Sequence, residues 1–251
     1  MLAKQRQQYI LSQVAKTGAL SVADLVLQLK VSRETIRRDL LSLSERGLIV
    51  TTHGGALSSE RQEPDLKTRE SANADAKQAI GRRAAALVPD GASLVIDSGS
   101  TTHAVAQALA DRHKLTVYTN DWRIALLLGR RNGNRVTLLG GELSDTEDAA
   151  FGLDTMQQLA QYRVDFAFVG ACGITPDAYL TDYTRLVAEV RSRMLATANL
   201  AIVVADQSKF GRVTPVRING FEQARYLITE SAPAPDIAQA IAARGPEILL
   251  P

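Results

Sequence analysis

Apolar residues recur at helical spacing three times before residue 45, and thereafter they gather into short continuous runs. In the first segment Ile10 and Val14 lie four apart with Tyr9 and Leu11 beside them, which predicts an amphipathic helix over 3–16 that Gly18 ends. The second opens on Ser21 with Asp24 three residues on, the spacing of a capping box, and repeats Val22, Leu25, Val26 and Leu29 up to Lys30. The third opens on Ser32 as N-cap, places Glu34 in its first turn, and carries Ile36, Leu40 and Leu43 as its inward stripe until Gly47. After it, LIVTT reads as a strand and HGGA as the turn that folds it back into a wing. With Ile36, Leu40 and Leu43 inward, the helical period sends Arg33, Thr35, Arg37, Arg38 and Ser42 to other faces.

From Ser58 to Ala76 the chain is charged, contains one proline and has almost no large apolar residues, so it reads as a linker. Beyond it, apolar runs at 93–96, 115–118, 136–139, 164–169, 200–205 and 226–229 alternate with helical patterns such as 77–87, 104–110 and 186–198. Runs without polar alternation predict strands covered on both faces. The fold class is therefore α/β: a parallel, doubly wound sheet preceded by a small winged helix-turn-helix domain. The division predicted is 1–57 for the winged helix, 58–76 for the linker and 77–251 for an effector-sensing domain.

Charge sharpens this picture. The net charge of +2 is unevenly spread: residues 1–57 hold eight lysines and arginines against four acids, and the remainder holds 21 against 23. A basic head on a mildly acidic body fits a head that meets a polyanion. Two helices joined by a very short turn, the second bearing Ser32, Arg33, Thr35, Arg37 and Arg38 near its start, have the layout of a reader of double-stranded DNA. Arginine offers a bidentate donor pair to guanine or phosphate, and His53 either caps the wing turn or donates to DNA. No apolar run approaches the roughly 18 residues that a membrane span needs, and the polar N-terminus lacks a signal-peptide pattern, so a cytoplasmic protein without membrane contact is expected. Cys172 is the sole cysteine and His53, His103 and His113 are scattered, so neither a disulfide, a metal site nor a cofactor is expected.

The ends of the predicted strands carry the candidate chemistry. SLVI is followed by DSGSTTH, LTVY by TND, VTLL by GGE, VDFAFV by GACGIT and AIVVA by DQSKFG. Gly99 lets backbone approach a ligand, Ser100, Thr101 and Thr102 supply hydroxyls and amides at a helix N-terminus, and Lys209 adds positive charge, a set suited to phosphate. Asp97, Asn120, Gly140, Gly141, Gly173 and Asp182 complete the expected effector site. Two other functions fit parts of the chain: an isomerase or hydrolase acting on sugar phosphates, with Asp97, Asp182 or Asp206 as base and Lys209 as electrophile, and a helical adaptor for another protein. The first gives the basic head no role, and the second leaves the polar strand ends unexplained.

The string VSRETIRRDLLSLSERGLIVTTHGGA resembles the N-terminal signature of the DeoR family of bacterial transcriptional regulators. Ser32, Thr35, Ile36, Arg37, Arg38, Asp39, Leu40, Leu43, Gly47, Leu48, His53, Gly54, Gly55 and Ala56 stand where the family pattern has them. The wing arginine common in that family is replaced here by Val50, Thr51 and Thr52. The body resembles the family's sensor domain, itself similar in fold to ribose-5-phosphate isomerase. Asp97, Gly99, Ser100, Thr101 and Thr102 match its DxGTTT motif with serine for the first threonine, Thr119 and Asn120 match TN, and Gly140, Gly141, Gly152, Asp165, Gly170, Gly173, Asp206, Ser208 and Lys209 match later motifs. A family glycine is replaced around Asp177–Tyr179, while Glu189, Arg191 and Met194 fit the helix that follows. The resemblance implies a repressor of a carbohydrate or polyol operon that binds a phosphorylated metabolite, carries out no catalysis, and binds DNA as a homo-oligomer whose symmetry mirrors the operator.

Overall fold

A computed structural model describes residues 3–17, 19–45, 48–52, 54–58 and 63–251. It divides into two compact units, 1–64 and 65–251. The first unit holds α1 (Ala3–Thr17), β1 (Ala19–Ser21), α2 (Val22–Leu29), α3 (Arg33–Glu45), β2 (Ile49–Thr52) and β3 (Gly55–Ser58). Ile10 and Val14 of α1, Leu25 of α2 and Ile36, Leu40 and Leu43 of α3 form one buried cluster with Ile49 and Ala56, as the helical spacing predicts. Ser21 caps α2 by accepting from Asp24 N at 3.0 Å, and Ser32 caps α3 by accepting from Thr35 N at 3.1 Å. The strand β1 is absent from the sequence reading: three residues are too few to show a period, and pairing with β3 is what makes them a strand. Gly18, Gly47 and His53, to which the sequence reading gave roles, lie outside the described residues.

The HGGA turn has a steric reason. Gly55 pairs with Ser21 across the sheet, and a Cβ placed on it would lie 1.9 Å from the Leu20 carbonyl oxygen, whereas one on Gly54 would meet nothing within 4 Å. Gly55→Ala is therefore expected to lower the stability of this unit by about 1 kcal/mol through a forced backbone shift, and Gly54→Ala to leave it unchanged. Thermal melts of the two variants check this, and equal melting temperatures would contradict it.

The second unit begins with α4 (Leu66–Ser71) and α5 (Ala74–Ala85), continues through β4 (Ser93–Ile96), α6 (Ser100–Ala108), β5 (Thr116–Thr119), α7 (Trp122–Leu128), β6 (Arg135–Leu138), β7 (Glu142–Leu143), β8 (Ala150–Phe151), α8 (Leu153–Leu159) and β9 (Val164–Val169), and then β10 (Gly173–Ile174), β11 (Leu180–Asp182), α9 (Arg185–Thr197), β12 (Ala198–Val204), β13 (Val216–Ile218), β14 (Ala224–Ile228), α10 (Pro235–Arg244) and β15 (Glu247–Leu249). Seven strands form one sheet in the order β15-β14-β12-β9-β4-β5-β6, every neighbouring pair parallel. Alternate residues of the apolar runs enter two cores: Leu94, Ile96 and Phe168 pack with α5, α6 and α7 residues such as Ile80, Val105 and Ile124, while Val95, Ala167 and Val169 pack with Val190, Met194 and Ile237 on the other face. This is the doubly wound α/β arrangement predicted.

The predicted linker is corrected here. Part of 58–76 is folded into the second unit: Asp65 caps α4 by accepting from Thr68 N at 2.7 Å, and α5 starts at Ala74. Arg69, in the middle of that charged stretch, is 8% exposed and ion-paired to Glu147. A local composition rich in charge reads as solvated chain, and the partner 78 residues away that buries it is invisible to that reading.

Candidate functional site

On the head, the charged residues of α3 divide between two faces. Arg33 and Arg37, four apart, line a concavity of about 380 Å³ together with Val22 and Ala23 of α2, Leu40 and Leu41 of α3, and Thr51, Gly54 and Gly55 of the wing hairpin. Leu41 is 56% exposed there, so an apolar edge sits among the arginines. Arg38 points elsewhere: its Nε is 3.6 Å from Glu34 Oε1, with both side chains exposed. Thr35, half-buried, shares a 2.8 Å hydrogen bond with the Ser32 hydroxyl. The helix is held in place by Asp39, the acid of TIRRDL, which accepts from Arg6 Nη2 at 3.1 Å and from Arg6 Nε in a shielded ion pair. The neighbouring arginines are thereby left to face outward while the helix axis is fixed from below.

In the second unit the strand order reverses between β4 and β9, and in such sheets ligands bind at the carboxyl ends of the strands flanking that switch point. The five polar strand ends belong to β12, β9, β4, β5 and β6, five adjacent parallel strands, and so lie along one sheet edge. At the switch point itself Asp97 follows β4 and accepts from Gly170 N, which follows β9, at 3.0 Å and from Arg191 Nε at 2.8 Å. Arg191 also bonds Asp182 through Nη1, so one guanidinium on α9 ties the ends of β4 and β11 together. All three are buried. Burial pushes the Asp97 carboxyl above the usual range, against the pull of Arg191 and the Gly170 N–H. Among the described residues, Asp97 Oδ1, Ser98 Oγ and Asn120 Oδ1 are buried polar atoms without a hydrogen-bond partner.

Beside this network α6 begins. Gly99 adopts φ 132°, where a side chain is strained, and leaves the first turn of α6 without a side-chain cap. Thr102 donates its hydroxyl to the Gly99 carbonyl at 3.1 Å, while Ser100 is half-buried and Thr101 is 8% exposed. At the end of β12, Asp206 accepts from Ser208 Oγ at 2.6 Å and Asn73 Nδ2 at 2.9 Å; burial pushes its carboxyl up, but Ser208, Lys209 and Asn73 outweigh that and hold it low.

Family models match both units: a DeoR-like helix-turn-helix domain over residues 6–62 and a DeoR C terminal sensor domain over residues 72–231. The chain belongs to the DeoR family. Among the relatives of this DeoR-family chain, the glycerol-3-phosphate regulon repressor of Haemophilus influenzae is 37% identical over 229 residues, covering 91% of this chain and 89% of that protein. The glycerol-3-phosphate regulon repressor of Escherichia coli K12 is 32% identical over 238 residues, 94% of each. Ribose 5-phosphate isomerase A of Methanocaldococcus jannaschii aligns at 20% identity over 55% of each chain with a TM-score of 0.41, a likeness too remote to bear on activity. As a DeoR-family regulator, the chain pairs a DNA-binding head with a domain that senses a small molecule. Among the described residues no helix is long and apolar enough to cross a membrane.

The DeoR motif residues occupy different surroundings along the edge. Asp97, Asp182 and Gly170 meet through Arg191, and Gly99 to Thr102 lie next to them. Asn120 donates to the Ala150 carbonyl at 3.0 Å and so joins the end of β5 to β8. Gly140 and Gly141, after β6, sit against α8: Gly140 donates to Gln158 Oε1 at 3.2 Å and its carbonyl accepts from Thr155 at 2.6 Å. Gly173 pairs with Thr181 in a small antiparallel sheet and its Cα faces the Arg212 backbone. The sequence reading matched Arg191 to the family helix but gave it no place at this edge. Arg191 could have been found, since it shares a helical face with Ala188 and Leu195 where an arginine needs a buried partner.

Proposed function

We propose that this chain represses transcription of a carbohydrate or polyol operon and leaves its operator when a phosphorylated metabolite binds the strand ends of the sensor domain. Ser32, Arg33, Thr35, Arg37, Arg38 and His53 meet the DNA. Asp97, Gly99, Ser100, Thr101, Thr102, Asn120, Gly140, Gly141, Gly173, Asp182 and Lys209 form the effector site. The observation that carries this reading is the uncapped first turn of α6 at the switch point of the sheet, with hydroxyls at Ser100 and Thr101, in a chain whose relatives are named glycerol-3-phosphate regulon repressors. Two-fold related half-sites call for a symmetric homo-oligomer.

Absence of turnover is part of the proposal. Asp97 and Asp182 are committed to Arg191, and Asp206 to Asn73 and Ser208, so each carboxylate offered as a base already holds a donor. Measurable isomerisation of ribose 5-phosphate would defeat it.

The test is an operator recovered by in vitro selection, titrated with protein in the presence of glycerol 3-phosphate and, separately, ribose 5-phosphate. One of them is expected to release the DNA and to stabilise the protein by about 2.7 kcal/mol at a hundredfold its dissociation constant. Thr101→Val is expected to bind the operator normally and to lose release, because it removes a hydroxyl from the phosphate turn while keeping the side chain's volume. Normal release from that variant would move the phosphate away from α6.

A further inference from the structure

The seven-stranded sheet ends in two unlike edges. β15 follows Pro246 and opens on Glu247, a proline and a charge of the kind that blunts an edge strand. β6, at the other end, has Thr137 exposed and Leu138 48% exposed, and among the described residues it pairs with β5 alone. Arg135 N donates to the Leu115 carbonyl and Leu139 N to the Thr119 carbonyl, each at 2.8 Å. By the alternation of a parallel ladder, Arg135, Thr137 and Leu139 therefore spend their backbone groups on β5, while Val136 and Leu138 turn theirs to the free edge. The free stretch is bounded at both ends: Asn134 N already donates to the Arg131 carbonyl at 2.7 Å, and Gly140 N to Gln158 Oε1 at 3.2 Å. Charge divides along the same edge. Residues 129–139 hold three arginines and no acid, and residues 140–154 hold five acids and no lysine or arginine. Glu147 and Asp148 are ion-paired to Arg69 and Arg123, whereas Glu142 and Asp145 stand exposed beyond the carboxyl end of β6, and Arg130, Arg131 and Arg135 stand exposed at its amino end.

We infer that two copies of this chain associate through β6, edge to edge and antiparallel, about a two-fold axis at Thr137. The inference rests on the homo-oligomer of the reading above and gives it an interface. A pairing centred on Thr137 sets Val136 of each copy opposite Leu138 of the other, and each such pair exchanges both backbone hydrogen bonds, so every group turned outward is used. Centring on Val136 or on Leu138 would instead call on Asn134 N or Gly140 N, and both are committed within the chain. The same axis lays the amino end of one β6 beside the carboxyl end of the other. The arginines of each copy thereby meet Glu142 and Asp145 of the other, once on each side of the axis, which makes the edge complementary to itself in charge as well as in hydrogen bonds. Leu138 adds apolar area that association removes from water. The contact is isologous and closes at two copies, the symmetry that two-fold related half-sites require.

The test is cysteine cross-linking in the full chain, beside sedimentation of the wild type. On the axis the two copies of residue 137 form a non-hydrogen-bonded pair with Cα atoms about 4.5 Å apart, within reach of a disulfide, so Thr137→Cys is expected to give a covalent dimer with oxidised glutathione as the oxidant. Arg135→Cys, whose two copies would stand about 13 Å apart along the strands, is expected to give none, and the native Cys172 is buried. Thr137→Asp sets two carboxylates opposite one another and is expected to weaken association about tenfold by sedimentation. An oligomeric wild type in which residue 137 does not cross-link, or which Thr137→Asp leaves equally tight, overturns the inference while the homo-oligomer stands. Cross-linking through residue 135 as readily as through 137 overturns it too, because the axis is then elsewhere. A wild type that sediments as a monomer at concentrations that saturate the operator defeats the oligomeric reading, and the inference falls with it. If Thr137→Asp does not fold, the cross-link decides.

Discussion

Arg191→Met is expected to cost about 3–5 kcal/mol of stability, the usual result of removing one partner from a buried ionic group. Arg191 is 4% exposed and serves two carboxylates, Asp97 at 0% and Asp182 at 1%, so its loss leaves two buried acids without their cation. Against a typical total of 5–15 kcal/mol this is a large fraction. The deficit should shrink in acid. Burial already raises the Asp97 pKa above its unfolded value, and Arg191 opposes that rise. Without Arg191 the carboxyl rises further. A raised carboxyl contributes stability that is present below its unfolded pKa and is lost as pH climbs through the folded one. Urea unfolding of wild type and variant should therefore converge as pH falls through the interval between those two values. Divergence in acid, or a deficit near zero at neutral pH, would mean that Arg191 is not the counter-ion of Asp97. Arg191→Lys should fall between the two, because an ammonium cannot span Asp97 through Nε and Asp182 through Nη1 at once.

This network also marks where sequence reading stops. The parallel sheet was legible because Leu94, Val95 and Ile96, or Ala167, Phe168 and Val169, are apolar without alternation, and a strand between two helical layers needs just that. The same rule finds the strand at 136–139 but overstates its burial. That run lies on β6, an edge strand, with Thr137 and Leu138 exposed, because its apolar residues face no second helical layer. The antiparallel set β10, β11 and β13 escaped because each strand has two or three residues, and β13 finds its partner far along the chain, Thr181 opposite Arg217. In the head, by contrast, caps and stripe are local and were readable. At the strand ends the residue types were readable, but their pairing was not: Asp97 and Arg191 are 94 apart in sequence, and Asn73 and Asp206 are 133 apart. Composition marks such groups as polar loop. Only the fold pairs them, and in Asp97 and Arg191 it makes a buried frame beside the start of α6.

Arg37→Ala is expected to cost about 1–3 kcal/mol of operator binding and to relax preference at one operator position, whereas Arg38→Ala weakens all sequences alike and lowers the salt slope by about one. Adjacent residues on a helix are turned by about 100°, so the two arginines cannot enter the groove together. Arg37 shares its concave face with Arg33, the exposed Leu41 and Thr51 of the wing, a surface with shape and an apolar edge able to meet a thymine methyl while the guanidinium takes an adjacent guanine. Arg38 sits on the convex side, 80% exposed, with Glu34 as its neighbour. At that exposure the pair is weak and does not keep Arg38 from a phosphate, which is a point of charge rather than a pattern. On that assignment Glu34→Gln should tighten binding to all sequences slightly, since it removes a negative charge beside Arg38. Operator titrations at several salt concentrations, with each base pair varied in turn, read both quantities. If Arg38→Ala changes base preference and Arg37→Ala changes only the slope, the roles are exchanged and the concave face anchors the backbone. If neither variant differs from wild type, the concavity beside the wing does not face DNA, because an arginine pair on a recognition helix has no other way of being silent in both affinity and salt dependence.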